Sequence, residues 1–344
     1  MKLATFLNEL ERSRAARVAG LLLLAGLLGT FVRPGPAPPP RGASVARLFA
    51  APVALDPADP GRTRVGGLVF RRGWVLTSDD PRFGGISAMH VERGGVLAVA
   101  DTGTIFRFAI PSRAGAAPVR IAPLIAGPGD ANVKWNRDSE SVAVWGDAVW
   151  IGFEGANAIW RYRRSDGRAE AHAAPAAMRR WRSNSGPESV ARLRDGRFLV
   201  IAEDRDNAQP FSRALLFSGD PAVPGTPATK LRYRRVPGAR PTDAVQMQDG
   251  RVLILNRHFG LLSWLSATLV VADPRGLRPN AIIESRAVAT LAAPLTVDNM
   301  EALSVGCESG RTIIYIASDD NLMPIQRTLF LEFELAPQFA GACR

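Results

Sequence analysis

The sequence predicts an all-β fold, a β-propeller of four-stranded blades, and three observations carry that prediction. An acid-headed apolar run recurs at near-constant spacing. Each copy continues into further short strands separated by turn residues. After residue 50, no amphipathic helix longer than about ten residues emerges at 3.6-residue periodicity. A repeat of this period made of short strands is the signature of a propeller or another stacked-sheet array. A solenoid β-helix fits less well, because its rungs are shorter and more uniform.

The head segments are SESVAV (139–144), PESVARL (187–193), TDAVQM (242–247) and MEALSV (300–305). Their acids are Glu140, Glu188, Asp243 and Glu301, in steps of 48, 55 and 58 residues. A fifth copy, GGISAM (84–89), places Gly85 where the acid would be. Second strands follow at 94–101, 147–154, 196–204, 250–257 and 311–320, most of them after a Gly- or Asp-rich turn of the kind hairpins require. Third strands lie at 104–110, 158–164, 213–219, 267–273 and 327–335. Weaker fourth strands lie at 118–126, 168–174, 229–236 and 280–288.

The last copy runs out of chain after its third strand. The N-terminal segment RVGGLVFRR (64–72) is expected to supply the missing outer strand, closing the ring and removing a sheet edge. Direct counting gives five blades; a fuller contribution from 66–80 would make six.

Residues 1–42 read as an export segment, ahead of one domain over 43–344. Lys2, Arg12, Arg14 and Arg17 precede an uncharged apolar run from Val18 to Val32, which Arg33 ends. That run is short for a full span and suits a signal sequence. A Pro-rich spacer, PGPAPPPRGAS (34–44), follows without a clean cleavage site, so cleavage and retention as an inner-membrane anchor through 18–32 both stay open. The expected location is the periplasm. Hydrophobic residues make up 47% and charged residues 22%, as in a globular rather than a disordered protein, and a monomer is expected. Only Cys307 and Cys343 occur, which excludes a disulfide scaffold and a thiolate zinc site. Their pairing in an oxidising compartment would tie the C-terminal tail to the last repeat.

The formal charge is +11. Such a domain attracts polyanions or small anions such as phosphate esters, although Arg-rich composition alone also produces this balance. No basic stripe with stacking aromatics accompanies it, so nucleic acid is not an expected partner.

In an antiparallel blade, the start of strand one and the end of strand two lie at the same end of the sheet. Glu140, Glu188, Asp243 and Glu301 are therefore expected near one axis. The strand-two ends Asp101, Glu154, Glu203 with Asp204, Arg257 with His258, and Asp319 to Asn321 should point to the same face. Asn184 and Asn299, leading into strand one, should join them. Carboxylates so gathered either raise their pKa values or bind a cation. Oxygen-only ligands select a hard cation, and Ca²⁺ is expected. The alternative is that each acid bonds backbone N–H groups within its own blade.

The segments FGGISAM (83–89), DSESVAV (138–144), GFEG (152–155), NSGPESVA (184–191), PTDAV (241–245), DNMEAL (298–303) and SDDNLMPIQRTLF (318–330) resemble the phytase-like family of exported bacterial proteins, described as having the esterase-like activity of phytase. The resemblance spans about residues 64–336; NSGPES and SDDN…QRT are its most specific pieces. It implies a β-propeller and hydrolysis of phosphate esters. Metal ligands would be Glu140, Glu188, Asp243, Glu301 and Asp319. Glu154 and Glu203 would serve as bases, with Arg327 as a phosphate clamp inside the most specific motif. Substrate contacts would come from Asn184, Asn299, Asp320, Asn321, Arg257, His258, Lys134 and Arg182. Metal-assisted attack of water on a phosphate monoester is the chemistry this set suits.

No G-x-S-x-G elbow, H-E-x-x-H, Walker loop or G-x-G-x-x-G is present. Two other classes remain: a calcium-dependent lactonase or sugar-ester hydrolase, and a non-catalytic propeller that binds an envelope polymer or protein.

Overall fold

Alternating apolar and polar residues, punctuated by Gly, Asp and Asn turns, give strands almost throughout the computed structural model. It describes residues 42–183, 185–204, 209–260, 264–341 and 343. The export segment falls almost entirely outside them. Among the described residues no helix is long and apolar enough to cross a membrane. The described helices are two short 3₁₀ turns, Lys134–Arg137 and Ala176–Met178.

In chain order the strands begin with β1 (Ser44–Pro52), β2 (Arg64–Val65) and β3 (Leu68–Ser78). The first repeat holds β4 (Ile86–Glu92), β5 (Gly95–Ala100), β6 (Thr104–Ala109) and β7 (Gly115–Pro123). The second holds β8 (Ser139–Trp145), β9 (Ala148–Phe153), β10 (Ala158–Arg163) and β11 (Ala169–Ala173). The third holds β12 (Pro187–Arg192), β13 (Phe198–Ala202), β14 (Phe211–Phe217) and β15 (Ala228–Arg234). The fourth holds β16 (Arg240–Gln246), β17 (Val252–Gly260) and β18 (Trp264–Ala272), then β19 (Ile282–Ile283) and β20 (Ser285–Leu291). The last holds β21 (Met300–Glu308), β22 (Arg311–Ser318) and β23 (Thr328–Leu335).

Consecutive strands pair antiparallel within each repeat, as the short turns dictate. The last repeat is completed from the N-terminus. β3 pairs antiparallel with β23, from Leu76 opposite Thr328 to Leu68 opposite Leu335. The borrowed strand is thus 68–78 rather than 64–72, because β2 folds back on β3 as a two-residue hairpin arm. One further strand has no counterpart in the sequence prediction. β1 lies between β3 and β7, joining the first and last repeats into one ten-stranded sheet.

The fourth strand of the fourth repeat also shifts. Asn280 adopts a left-handed backbone at φ 66°, so the expected 280–288 strand starts late, and it is interrupted at Glu284. Ile282–Ile283 then pairs parallel with β15 of the preceding sheet, and Ser285–Leu291 pairs with β18.

The inner strands β4, β8, β12, β16 and β21 touch in sequence, and β21 also touches β4. Apolar side chains such as Phe106, Ile151, Phe198, Leu253 and Leu329 fill the space between sheets and are almost fully buried. Small polar groups link neighbouring inner strands. Ser87 donates to the Ser139 carbonyl at 2.5 Å, and Ser141 to the Pro187 carbonyl at 2.6 Å. The Val91 N–H donates to Ser304 at 2.9 Å. These bonds fix the register between sheets, which hydrophobic contact alone does not. Cys307 and Cys343 form a disulfide that ties the C-terminal tail to β21.

Candidate functional site: a ring of carboxylates at the strand heads

Every inner strand carries a β-bulge at the same place. The register against the second strand skips Ser87, Glu140, Glu188, Thr242 and Glu301 in turn. A bulge inserts one unpaired residue and re-aims its side chain, here toward the strand heads. On the second strand, the residue that follows the partner of the pre-bulge residue forms a companion set: Asp101, Glu154, Glu203, Arg257 and Asp319. A third set lies two residues before each bulge: Gly85, Asp138, Gly186, Arg240 and Asn299.

This register corrects two sequence equivalences. Thr242, not Asp243, is the counterpart of Glu140, and Ser87 takes the place assigned to Gly85. A one-residue slip along a strand turns the side chain to the other face. Asp243 accordingly points between strands, where it accepts N–H bonds from Ala244 and Leu303, both at 2.7 Å. It is 2% exposed, and burial pushes its carboxyl well above the usual range against those two bonds. Asp243 thus bonds backbone N–H groups, as in the alternative to ligation, but one of them, Leu303, belongs to the next repeat rather than its own.

The other acids converge. Ligand oxygens of Asp138, Glu140 and Glu154 lie within 4.8 Å of one another, as do those of Glu154, Glu188 and Glu203. Asp101, Glu301 and Asp319 complete the group through the fields they exert on Glu140 and on one another. Glu203, Asp319, Glu154, Glu188 and Glu301 are buried; Glu140 keeps partial exposure at the mouth.

Among the described residues, three cations face these eight acids. Arg257 donates to Asn299, Glu301 and, at 3.0 Å, Glu203. Arg240 stands 3.7 Å from Glu203, and Lys134 donates to Asp101. Asn299 also donates to Glu301 at 2.9 Å. Burial pulls the Arg257 guanidinium toward neutrality, but Glu301 and Glu203 outweigh it and its pKa is raised. Among the described residues the acids outnumber the cations. Burial first, then mutual repulsion, holds Glu140, Glu188 and Asp319 well above the ordinary carboxyl range. Glu301 and Asp138 are raised by burial too, against the opposing pull of Arg257 and Lys134 respectively. Oxygens of Glu188 and Glu154 stand within 4.8 Å of each other, and the nearness of Glu154 adds to the rise of the Glu188 carboxyl.

The remaining candidates take other places. Asp320 accepts the N–H of Gly85 at 2.8 Å and of Leu322 at 3.1 Å, and the Thr328 hydroxyl at 2.8 Å, so it shapes its loop. Asn321 donates its backbone N–H to Asp319 at 2.6 Å and its side-chain amide to Gln326 at 3.0 Å. Arg327 is not in the ring: it lies 3.5 Å from Asp298, also donates to the Val297 carbonyl, and is 45% exposed. The half-buried His258 ring lies against Gly238, Arg182 is exposed, and Asn184 lies outside the described residues. Sequence reasoning missed Asp138 and Arg240. Their signal was available as a side chain two residues ahead of each bulge, the position by which Asn299 was found.

A model of the phytase-like family, described as esterase-like activity of phytase, matches residues 81–322. No curated protein matches the chain. Among solved structures, the glutaminyl cyclase of Myxococcus xanthus is 13% identical, with TM-score 0.45, over 87% of this chain and all of that one. The PQQ-bound aldose sugar dehydrogenase of Streptomyces coelicolor is 12% identical, with TM-score 0.42, over 86% of this chain and 99% of that one. The α-L-arabinofuranosidase PaAbf62A of Podospora anserina is 11% identical, with TM-score 0.45, over 84% and 97% respectively.

Proposed function

This chain belongs to the phytase-like family, and from that premise we propose that it is an exported hydrolase of phosphate monoesters that works with a bound Ca²⁺ at the strand-head carboxylates. The observation that carries the reading is the crowding of acids: among the described residues, Asp101, Asp138, Glu140, Glu154, Glu188, Glu203, Glu301 and Asp319 outnumber the cations that face them, Lys134, Arg240 and Arg257. Crowded, buried oxygen donors with no His or Cys among them fit a hard divalent ion. We read the five strand groups as five blades of a propeller closed by β3, which puts the acids of separate repeats around one axis. The Cys307–Cys343 disulfide supports an oxidising compartment, in keeping with the export segment.

Arg257 divides the ring. It engages Glu203 and Glu301, which leaves Asp138, Glu140, Glu154 and Glu188 as the ion's ligands and proton acceptors. Bound Ca²⁺ would screen the phosphate charge and lower the pKa of a coordinated water. Glu154, paired with Glu188, takes the proton from the attacking water. Lys134 and Arg257 hold the phosphate oxygens at the mouth, and Asn299 and Glu301 keep the Arg257 guanidinium in place.

The test is phosphate release from p-nitrophenyl phosphate and from phytate by the purified chain, with Ca²⁺ and with chelator. Chelator should abolish release, and Glu154→Gln should lower kcat by about 10²–10⁴-fold. Release no greater than that of the Glu154→Gln variant in saturating Ca²⁺ would end the proposal. Lactone opening or simple binding of an envelope polymer would then be measured on the same protein.

A further inference from the structure

The other end of the inner strands is chemically the reverse of the acid mouth. There the turns joining strand one to strand two surround an open cavity of about 1120 Å³. It narrows into a throat of about 200 Å³ between the strands, lined by Met89, Val142, Val144, Val190, Val245 and Val305. Trp145, half exposed at the rim, lies under the Arg192 guanidinium, whose carbon is 3.9 Å from the ring centre.

Arg192 donates to the Leu193 carbonyl at 3.1 Å, and Arg194 to the Gln248 carbonyl at 2.9 Å. Among the described residues, no carboxylate lies within ion-pair distance of either guanidinium. The acids at this rim are already engaged: Glu92 with Arg164 at 2.6 Å, and Glu308 with Arg71. His90, facing the throat, is nearly buried; burial and then Arg164 bring its pKa down to about 4, so it is neutral at pH 7. An apolar slot with one stacked indole at its entrance, and two guanidinium groups of which Arg192 feels only the more distant Asp195, already bonded to Arg197, is an arrangement for a ligand with an apolar body and a negative head.

We propose that this vestibule is a second binding site, for a small organic carboxylate whose apolar or aromatic body enters the throat while its carboxylate rests on Arg192 and Arg194. A slot of this volume takes a phenyl-sized group, and the Trp145 face offers it an edge or stacking contact. The site does not depend on the hydrolytic reading. The seven residues of β4 (Ile86–Glu92) put the two mouths about 20 Å apart, at ~3.3 Å per residue.

The experiment is isothermal titration of the full chain with 4-phenylbutyrate and, separately, with neutral 4-phenylbutanol, in Ca²⁺ and in chelator. Phenylbutyrate should bind with one-to-one stoichiometry and the same affinity in both buffers. Phenylbutanol should bind about 10-fold or more weakly, the loss expected for one charge-assisted contact. Arg192→Ala with Arg194→Ala should remove that preference for the acid. Trp145→Ala, a substitution of an exposed side chain that leaves the core intact, should weaken both ligands. Absence of binding at millimolar concentration overturns the proposal, and so does equal affinity for acid and alcohol. Ca²⁺-dependent binding also overturns it, by placing the anion at the acid mouth.

Discussion

Asp243 and Glu188 show how one residue of register decides between structure and chemistry. Both head an acid-plus-apolar run, and in the sequence the two runs read alike. The bulge that inserts Glu188 into the ring inserts Thr242 in the fourth repeat, so Asp243 turns between strands and accepts two backbone N–H bonds. Asp243→Ala should therefore lower the free energy of unfolding by about 2–5 kcal/mol, the cost of two buried N–H groups left unpaired. The Ca²⁺-induced rise in Tm should stay as in the parent chain. Urea denaturation and calorimetry read the two quantities separately; loss of the Ca²⁺ increment would make Asp243 a ligand after all. Residue types and spacing sufficed to find Glu140, Glu188, Glu301 and Asp319, because strand heads recur with the repeat. They did not suffice to place Asp243, because a bulge leaves no mark in composition. Arg327 was misplaced for a related reason: motif membership does not say whether a guanidinium faces the ring or, as here, the Asp298 carboxylate behind it.

At the scale of elements, turn chemistry and alternation made nearly every strand legible within the repeats. Among the departures, β1 and the parallel pairing of β19 with β15 both join segments far apart in sequence. β1 has no repeat partner, and its place between β3 and β7 depends on hydrogen-bonding edges that form only when the first and last repeats meet. Val75 sits at the middle of that junction, opposite Ala51 on one side and Leu329 on the other. Flanked by strands on both sides, its N–H has a ladder partner whichever way it points. Val75→Pro should thus cost at least ~2 kcal/mol through a missing donor and an unpaired carbonyl. It should also expose the β23 edge and promote association, seen as a mass increase in light scattering. A monomer of unchanged stability would mean that β3 is not needed to complete the last sheet.

At the scale of the molecule, four of the repeats bring their acids to one place, and the resulting repulsion makes stability depend on pH and on cations together. The unfolded chain titrates its carboxyls near pH 4. Glu140, Glu188 and Asp319 hold their protons to well above that, first through burial and then through each other's charge, and Glu301 and Asp138 are shifted the same way. Between those limits the native state binds more protons than the unfolded state, so native stability falls as pH rises. In chelator, Tm should therefore decline from pH 5 toward pH 8. Ca²⁺ competes with those protons for the same oxygens, so its stabilisation should be small at pH 5 and grow toward pH 8. At a free ion concentration of 100 Kd it would reach about 2.7 kcal/mol. Calorimetry at fixed ionic strength, with Mg²⁺ as a comparison, separates site binding from general screening. A Ca²⁺ increment equal at pH 5 and pH 8 would mean that the ion does not replace those protons, and no increment at pH 8 would leave the carboxyls to one another.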